Sequence, residues 1–303
     1  DAPALRKADV GISMGIGGTD VAKEAADLVL TGDDFATVVD ALREGRALYD
    51  NLRKSIGYIL TSSVPEVLPF LLTAATHIPL ALGMQQVLAI DLGANLLPGI
   101  SLASEQPEPD VMQHPPRRRS RPVVDRSLLR RAMLWLGLLE TGLCYLGYLA
   151  VFLLGGRLAP VWPWLAANLP PALAGLRLGD LEQLGQAELE QAALTAFYAG
   201  VVMCQLGSAF ACRAEVNRTR RLGWLNNRLL VASVLAGLLQ VAAVIYIPPL
   251  QRIFEHQPLP PALWLLIAAG GPALFSLEWV RKALVRARAA KTAPADQAGP
   301  ADG

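Results

Sequence analysis

The apolar positions of this chain gather into six runs, at about 56–75, 84–103, 132–154, 192–211, 229–247 and 262–277. Each is close to the roughly 20 residues that an α-helix needs to cross bilayer hydrocarbon. Pro65, Glu66 and Pro69 interrupt the first, and Gly270-Gly271-Pro272 breaks the last. Membrane helices accept such breaks where neighbours satisfy the freed backbone groups. Residues 1–48 carry a different pattern. A short helix is expected at 3–7, a strand at 10–14, a helix at 19–26 capped by Thr19 or Asp20, a second strand at 28–30 and a turn at 31–34. Strands alternating with helices predict a parallel sheet, and so short a stretch reads as a piece of an α/β domain. From Asp34 a helical pattern continues unbroken through Tyr49 and Lys54 into the first apolar run. It predicts one long helix that starts in water and enters the membrane.

The chain is thus read as a mainly α membrane protein, a six-helix transmembrane bundle preceded by an α/β fragment. It divides into that fragment and stalk (1–48), two membrane helices (49–104), a basic loop (105–131), four more membrane helices (132–288) and an Ala/Pro/Gly-rich tail expected to be disordered (289–303). Composition agrees: 53% of the 303 residues are hydrophobic and 17% charged, whereas soluble domains carry nearer a quarter charged. The net charge of +1 gives no argument for nucleic acid. Its distribution is more telling. Arg117, Arg118, Arg119, Arg121, Arg126, Arg130 and Arg131 follow the second run. Arg213, Arg218, Arg220 and Arg221 follow the fourth, and Arg281, Lys282, Arg286, Arg288 and Lys291 follow the sixth. The intervening loops hold few bases. The positive-inside rule then places both termini in the cytoplasm of a multi-pass protein, with the cell membrane as the expected location. Trp162, Trp164 and Trp264 sit where interfacial anchors are expected. Cys144, Cys204 and Cys212 have no metal-ligand spacing and read as buried apolar residues. His77, His114 and His256 fall in loops and read as solvated. The opening Asp1-Ala2-Pro3 is no signal peptide; a helix-start signal at the first residue suggests a piece of something longer.

Charges within a membrane span are costly and mark candidate function. Glu66 lies near the centre of the first span and Asp91 near the centre of the second. A tight loop joins the two, so both acids reach a similar depth. Asn95 follows Asp91 by one turn and can share its face. Ser62 precedes Glu66 by one turn, with Thr61 and Ser63 beside it. Pro65 frees a carbonyl one turn earlier, Pro98 frees that of Ala94, and Gly93 lets the backbone bend. Oxygen ligands of this kind suit hard cations, and broken helices near the midplane are how membrane proteins build ion sites. Two other readings fit: polar groups that lock helices together, and a proton relay. Glu140 and Gln205 could complete the site or bond across helices. Glu278 is expected to pair with Arg281 or Lys282.

These residues carry a family resemblance. The run from Asp1 to Leu5, followed by Ala8-Asp9-Val10-Gly11-Ile12-Ser13-Met14-Gly15 and by Val21 to Leu30, resembles the hinge end of the phosphorylation domain of P-type cation-transporting ATPases. Its motif there is G-D-G-x-N-D-A-P-A-L-x-x-A-D-V-G-I-A-M-G. Thr61-Ser62-Ser63-Val64-Pro65-Glu66 resembles T-S-N-I-P-E of the type II pumps, above all the sodium/potassium and proton/potassium branch. Ile90-Asp91-Leu92-Gly93-Ala94-Asn95 resembles I-D-L-G-T-D, and Ser101-Leu102-Ala103-Ser104-Glu105-Gln106 with Asp110-Val111-Met112 and Pro116-Arg117 resembles the loop that follows. The resemblance implies that the α/β fragment is HAD-like, that Glu66 and Asp91 are cation-ligating acids, and that Ser62, Ser63, Asn95 and Gln205 are polar ligands. It places Asp1 near the magnesium site of the phosphorylation domain. It further implies an intact enzyme that hydrolyses ATP with Mg2+ through a phospho-aspartate and moves Ca2+, Na+, K+ or H+. Its partners would be the N-terminal part of the same pump and membrane lipid, with no nucleic acid. Asn95 stands where the family has Asp, Ala94 where it has Thr, and Ser63 where it has Asn. Ser208 stands where the sodium pump has a further acid, and the fifth span lacks that pump's acid. The phosphorylation loop D-K-T-G-T is absent here, so this chain alone is not expected to be catalytic. The alternative is a truncated, non-catalytic membrane protein that binds ions or regulates a partner.

Overall fold

The computed structural model describes residues 2–76, 78–108, 110–113, 115, 122–213, 223 and 225–292. Asp1, His77, His114, Arg117, Arg118, Arg119, Arg121, Arg218, Arg220, Arg221 and the tail from 293 lie outside them. The chain forms two compact units, 1–50 with 106–118, and 51–105 with 119–303.

The smaller unit holds α1 (Ala2–Lys7), β1 (Ile12–Met14), α2 (Asp20–Ala25) and β2 (Leu28–Leu30). The strands are parallel, with Ile12 opposite Leu28 and Met14 opposite Leu30, as the alternation predicted. Thr19 caps α2, its side chain accepting from Ala22 N at 3.3 Å. Asp33 adopts a left-handed φ of 53°, which a short polar side chain tolerates. Its carboxylate accepts from Ile16 N at 2.8 Å and Gly17 N at 2.5 Å. The bond from Ile16 is the main influence that lowers its pKa from the ordinary carboxylate value.

Six described helices are long and apolar enough to cross a membrane: α3 (Thr37–Thr76), α4 (Met84–Ala103), α5 (Arg126–Leu154), α6 (Gln186–Cys212), α7 (Arg228–Tyr246) and α8 (Pro261–Thr292). Two proline-bearing spans depart from the sequence reading. α3 is one 40-residue helix, uninterrupted at Pro65 and Pro69, and α8 continues through Gly270-Gly271-Pro272. Those glycines serve contact instead. A Cβ on Gly271 would lie 2.6 Å from Met203 O, and one on Gly207 would lie 2.8 Å from Gly271 Cα. Small residues thus let the backbones of α6 and α8 touch. α4 does deform: Ile90–Asn95 is a π-helical turn, a local widening often found at functional sites.

α6 forms the centre, with 78% of its apolar window buried against 28% for α3. Tyr145, Tyr148, Phe152 and Phe197 pack edge to face beside it. The outward positions are large and apolar, such as Leu92, Leu239 and Leu265 (64%, 71% and 78% exposed), as contact with lipid requires. The three cysteines are free and buried.

His256 is a correction. It is buried, not solvated. Thr195 Oγ1 donates to Gln191 O and accepts from Gln257 N, and its remaining lone pair faces His256 Nδ1 at 3.1 Å. The imidazole stacks near Tyr198 and Phe254. Burial lowers its pKa to about 4.

Candidate cation site

Glu66 is carried by α3, and Asp91 and Asn95 by the π-helical turn of α4. The amide of Asn95 joins the acids: Nδ2 donates to Glu66 Oε1 at 2.9 Å and to Asp91 Oδ1 at 3.1 Å. Glu66 and Asn95 are buried (8% each), whereas Asp91 lies on an exposed face of α4. Two carboxylates facing one amide can each offer a further lone pair to a cation.

Two main-chain carbonyls in and beside the π turn have side-chain donors. Tyr58 OH donates to Ala94 O at 3.2 Å and lies 3.4 Å from Asn95 Oδ1. Ala94 is the residue whose carbonyl Pro98 frees. Gln240 of α7 donates to Ala89 O at 2.5 Å and packs against Gly93; a Cβ at Gly93 would collide with that side chain. Sequence reasoning missed Tyr58 and Gln240. The available signal was position: Tyr58 is one turn before Ser62, and Gln240 is a lone amide in an apolar span.

Ser62 is buried and Ser63 half-buried. Each donates back to Ile59 O at 2.9 Å, which leaves oxygen lone pairs one turn before Glu66. Gln205 of α6 is fully buried beside Glu66, yet neither of its amide atoms attains hydrogen-bond geometry. Glu140 of α5 is fully buried, and both its oxygens lack a partner. Among the described residues, the groups whose charges reach Glu66 and Glu140 include acids and thiols but no base. Among the described residues, no cluster of three or more His, Cys, Asp and Glu side chains is arranged to hold a metal. Any cation here would depend on amides, hydroxyls and carbonyls besides the acids. Asp1, expected near a magnesium site, lies outside the described residues.

The basic end of the bundle is built otherwise. Arg213 is wholly buried and grips Glu105 through Nε at 2.9 Å and Nη2 at 2.7 Å. Asn227 donates to the same carboxylate at 3.1 Å and to Ser101 O at 2.8 Å. Arg53 meets Asp125 at 3.3 Å. Glu278 pairs with Arg281 at 2.7 Å, as expected, and also with Arg131 at 2.9 Å.

Residues 79–284 match the family described as "Cation transporting ATPase, C-terminus". The chain belongs to the P-type cation-transporting ATPases. As a member of that family it is similar to sodium/potassium-transporting ATPase subunit alpha-3 of Gallus gallus, 34% identical over 302 residues. That alignment covers 94% of this chain and 29% of the relative. Subunit alpha-2 of the same organism is 35% identical, with 94% and 28% covered. Subunit alpha-4 of Rattus norvegicus is 35% identical over 304 residues, with 95% and 28% covered. This P-type ATPase chain therefore spans under a third of the length of the curated relatives it matches. Its six apolar helices correspond to the C-terminal membrane portion of the family.

Proposed function

We propose that this chain is the ion-binding membrane portion of an ATP-driven pump, and that Glu66, Asp91 and Asn95 hold the transported cation, with Ser62, Ser63 and Gln205 as further oxygen ligands. One observation carries the reading: two acids at membrane depth share a single amide donor, and no base is among the described groups that act on Glu66. A carboxylate in such a place needs a counter-charge, and an entering cation supplies it. The Asn95 amide bridges the two acids. Tyr58 and the π turn fix the amide's position, so that cation entry exchanges two N–H···O bonds for metal–oxygen contacts.

Asn95 adds no charge. A site with two carboxylates favours a monovalent cation over Ca2+, because divalent affinity rises with the number of charged ligands. ATP hydrolysis with Mg2+ through a phospho-aspartate belongs, in this proposal, to the remainder of the pump. The long helix α3 would link that chemistry to Glu66. The exposed face of α4 around Asp91 is where further membrane helices would complete the site. The basic loops support a reading with both termini in the cytoplasm and the cell membrane as the location.

The test uses full-length protein carrying this segment, reconstituted in lipid. Cation-stimulated ATPase activity is expected in the wild type and lost in Glu66→Ala and Asp91→Ala. Activity indifferent to both substitutions would overturn the site. Cation binding without any ATPase activity would favour the non-catalytic alternative.

A further inference from the structure

The segment between α7 and α8 turns back into the bundle. Its short helix, Pro248–Phe254, ends at Glu255, whose left-handed φ of 55° is a strained conformation for a side chain of that length. The turn carries the next residue inward. His256 is 5% exposed, with its ring centred 4.6 Å from that of Tyr198 on α6, and Gln257 N donates to Thr195 Oγ1 at 2.9 Å. The same segment holds α4, since Gln86 Nε2 donates to Phe254 O at 2.5 Å. A second link runs through Tyr198. Gln240 Nε2 donates to its hydroxyl at 3.4 Å and to Ala89 O, immediately before the π turn that bears Asp91 and Asn95.

Counting donors and acceptors fixes the state of the ring. Thr195 Oγ1 gives its own hydrogen to Gln191 O at 2.8 Å, so it accepts from His256 Nδ1, which therefore carries the ring's proton. Nε2 is left with a bare lone pair, buried and without a hydrogen-bond partner among the described residues. A second proton has to bind there, and it creates a buried charged N–H with no acceptor. Among the described groups no acid acts on the ring, and burial is what lowers its pKa to about 4. Tyr198 is the titratable group in ring contact, and Arg252 and Glu255 of its own segment are exposed. Glu190 of α6 acts on Tyr148, and Tyr246 of α7 bonds to Trp264. Met84–Ala89 of α4 and residues 261–277 of α8 hold no ionisable side chain.

We propose that His256 is a proton-binding site on the face opposite the basic loops, and that its protonation undocks segment 248–257 from α6 and α4 and so weakens cation binding at Glu66, Asn95 and Asp91. The proton comes from the surrounding water and bonds to the Nε2 lone pair. The docked ring takes it less readily than a solvated ring of ordinary pKa 6.5, so acid favours the undocked state. Between pH 7.5 and 5.5 the ratio of undocked to docked segment rises roughly tenfold. The inference rests on the reading of this chain as a cation-binding membrane portion and on its proposed orientation.

Two measurements on the full-length protein in lipid test it. Hydrogen exchange of the Gln257 amide, corrected for the intrinsic pH dependence of exchange, reads the undocking directly. It should show roughly tenfold more opening at pH 5.5 than at 7.5 in the wild type, and little change in His256→Phe, which keeps the ring contacts without the titrating nitrogen. In sealed vesicles where ATP reaches only the basic face, acidifying the other compartment over the same range should raise the half-activating concentration of Na+ or K+ in the wild type and not in His256→Phe. Opening that does not vary with pH in the wild type would overturn the proposal, whether or not the variant folds. So would opening that varies while the half-activating concentration stays constant, or a response that follows His77→Gln and survives His256→Phe. Flat exchange beside normal cation activation sinks this inference alone, whereas absence of any cation activation sinks the proposed function with it.

Discussion

Glu105 and Glu140 are buried acids of one helical bundle with opposite surroundings. Glu105 is clasped by both nitrogens of a fully buried Arg213 and by Asn227. Both Glu140 oxygens lack a partner among the described residues, and Glu66 accepts from the shared amide of Asn95. Glu278 repeats the first pattern with Arg131 and Arg281. Among the described residues, bases thus meet the acids at one end of the bundle and none acts on Glu66 or Glu140. An acid with its own arginine is a fixed joint between segments distant in sequence. In the proposed reading, an acid without one takes its counter-charge from a cation or is neutralised by a proton.

The comparison breaks first at Glu105. Glu105→Gln removes the carboxylate charge that two nitrogens of the buried Arg213 grip, which should cost about 3–5 kcal/mol. Thermal unfolding in lipid nanodiscs should show it, and a stability within about 0.5 kcal/mol of wild type, the range of ordinary surface changes, would mean that the clasp is ornamental. His256 offers a third kind of buried titratable group. Its folded pKa of about 4 lies below the ordinary histidine value of 6.5, so the unfolded chain binds the proton first. Its contribution is present above about pH 6.5 and falls away as pH drops towards 4, a loss of roughly 3 kcal/mol. His256→Phe should flatten that slope in the same unfolding assay; an unaltered slope would assign the pH dependence elsewhere.

At membrane depth the expected effects are smaller for stability and larger for binding. Glu66→Gln keeps the acceptor for Asn95 and removes an uncompensated charge. It should raise thermal stability while weakening cation activation roughly thirtyfold, or about 2 kcal/mol. Lower stability with unchanged activation would give Glu66 the same structural role as Glu105. Tyr58→Phe should be the mildest. It strips the donor from Ala94 O and should cost about 1 kcal/mol, with a modest loss of cation affinity. An affinity equal to wild type would show that the hydroxyl does not position Asn95.

The acids were legible in the sequence because a charge inside an apolar run is expensive enough to require a reason. Their link through Asn95 was legible from its one-turn spacing after Asp91. Tyr58 and Gln240 were not, since their partners are the main-chain carbonyls of Ala94 and Ala89, which belong to other helices and lie 36 and 151 positions away. Gly270-Gly271-Pro272 misled for a related reason. Residues that can break a helix also let two backbones touch, and only the partner, Gly207, decides between the two. His256 and Thr195 lie 61 positions apart, and Glu105 and Arg213 lie 108 apart. No local pattern announces such pairs. The parallel strands and the six spans were readable because alternation and apolar length are local properties.

Asn95 is the residue on which the account turns, because it holds the two acids together without adding charge. The most direct measurement is a cation screen of ATPase activity in the full-length protein, wild type against Asn95→Asp. The account predicts a wild type activated by monovalent cations and a variant shifted towards divalent ones, with half-activating concentrations changed roughly tenfold or more. Identical cation profiles for the two proteins would contradict it.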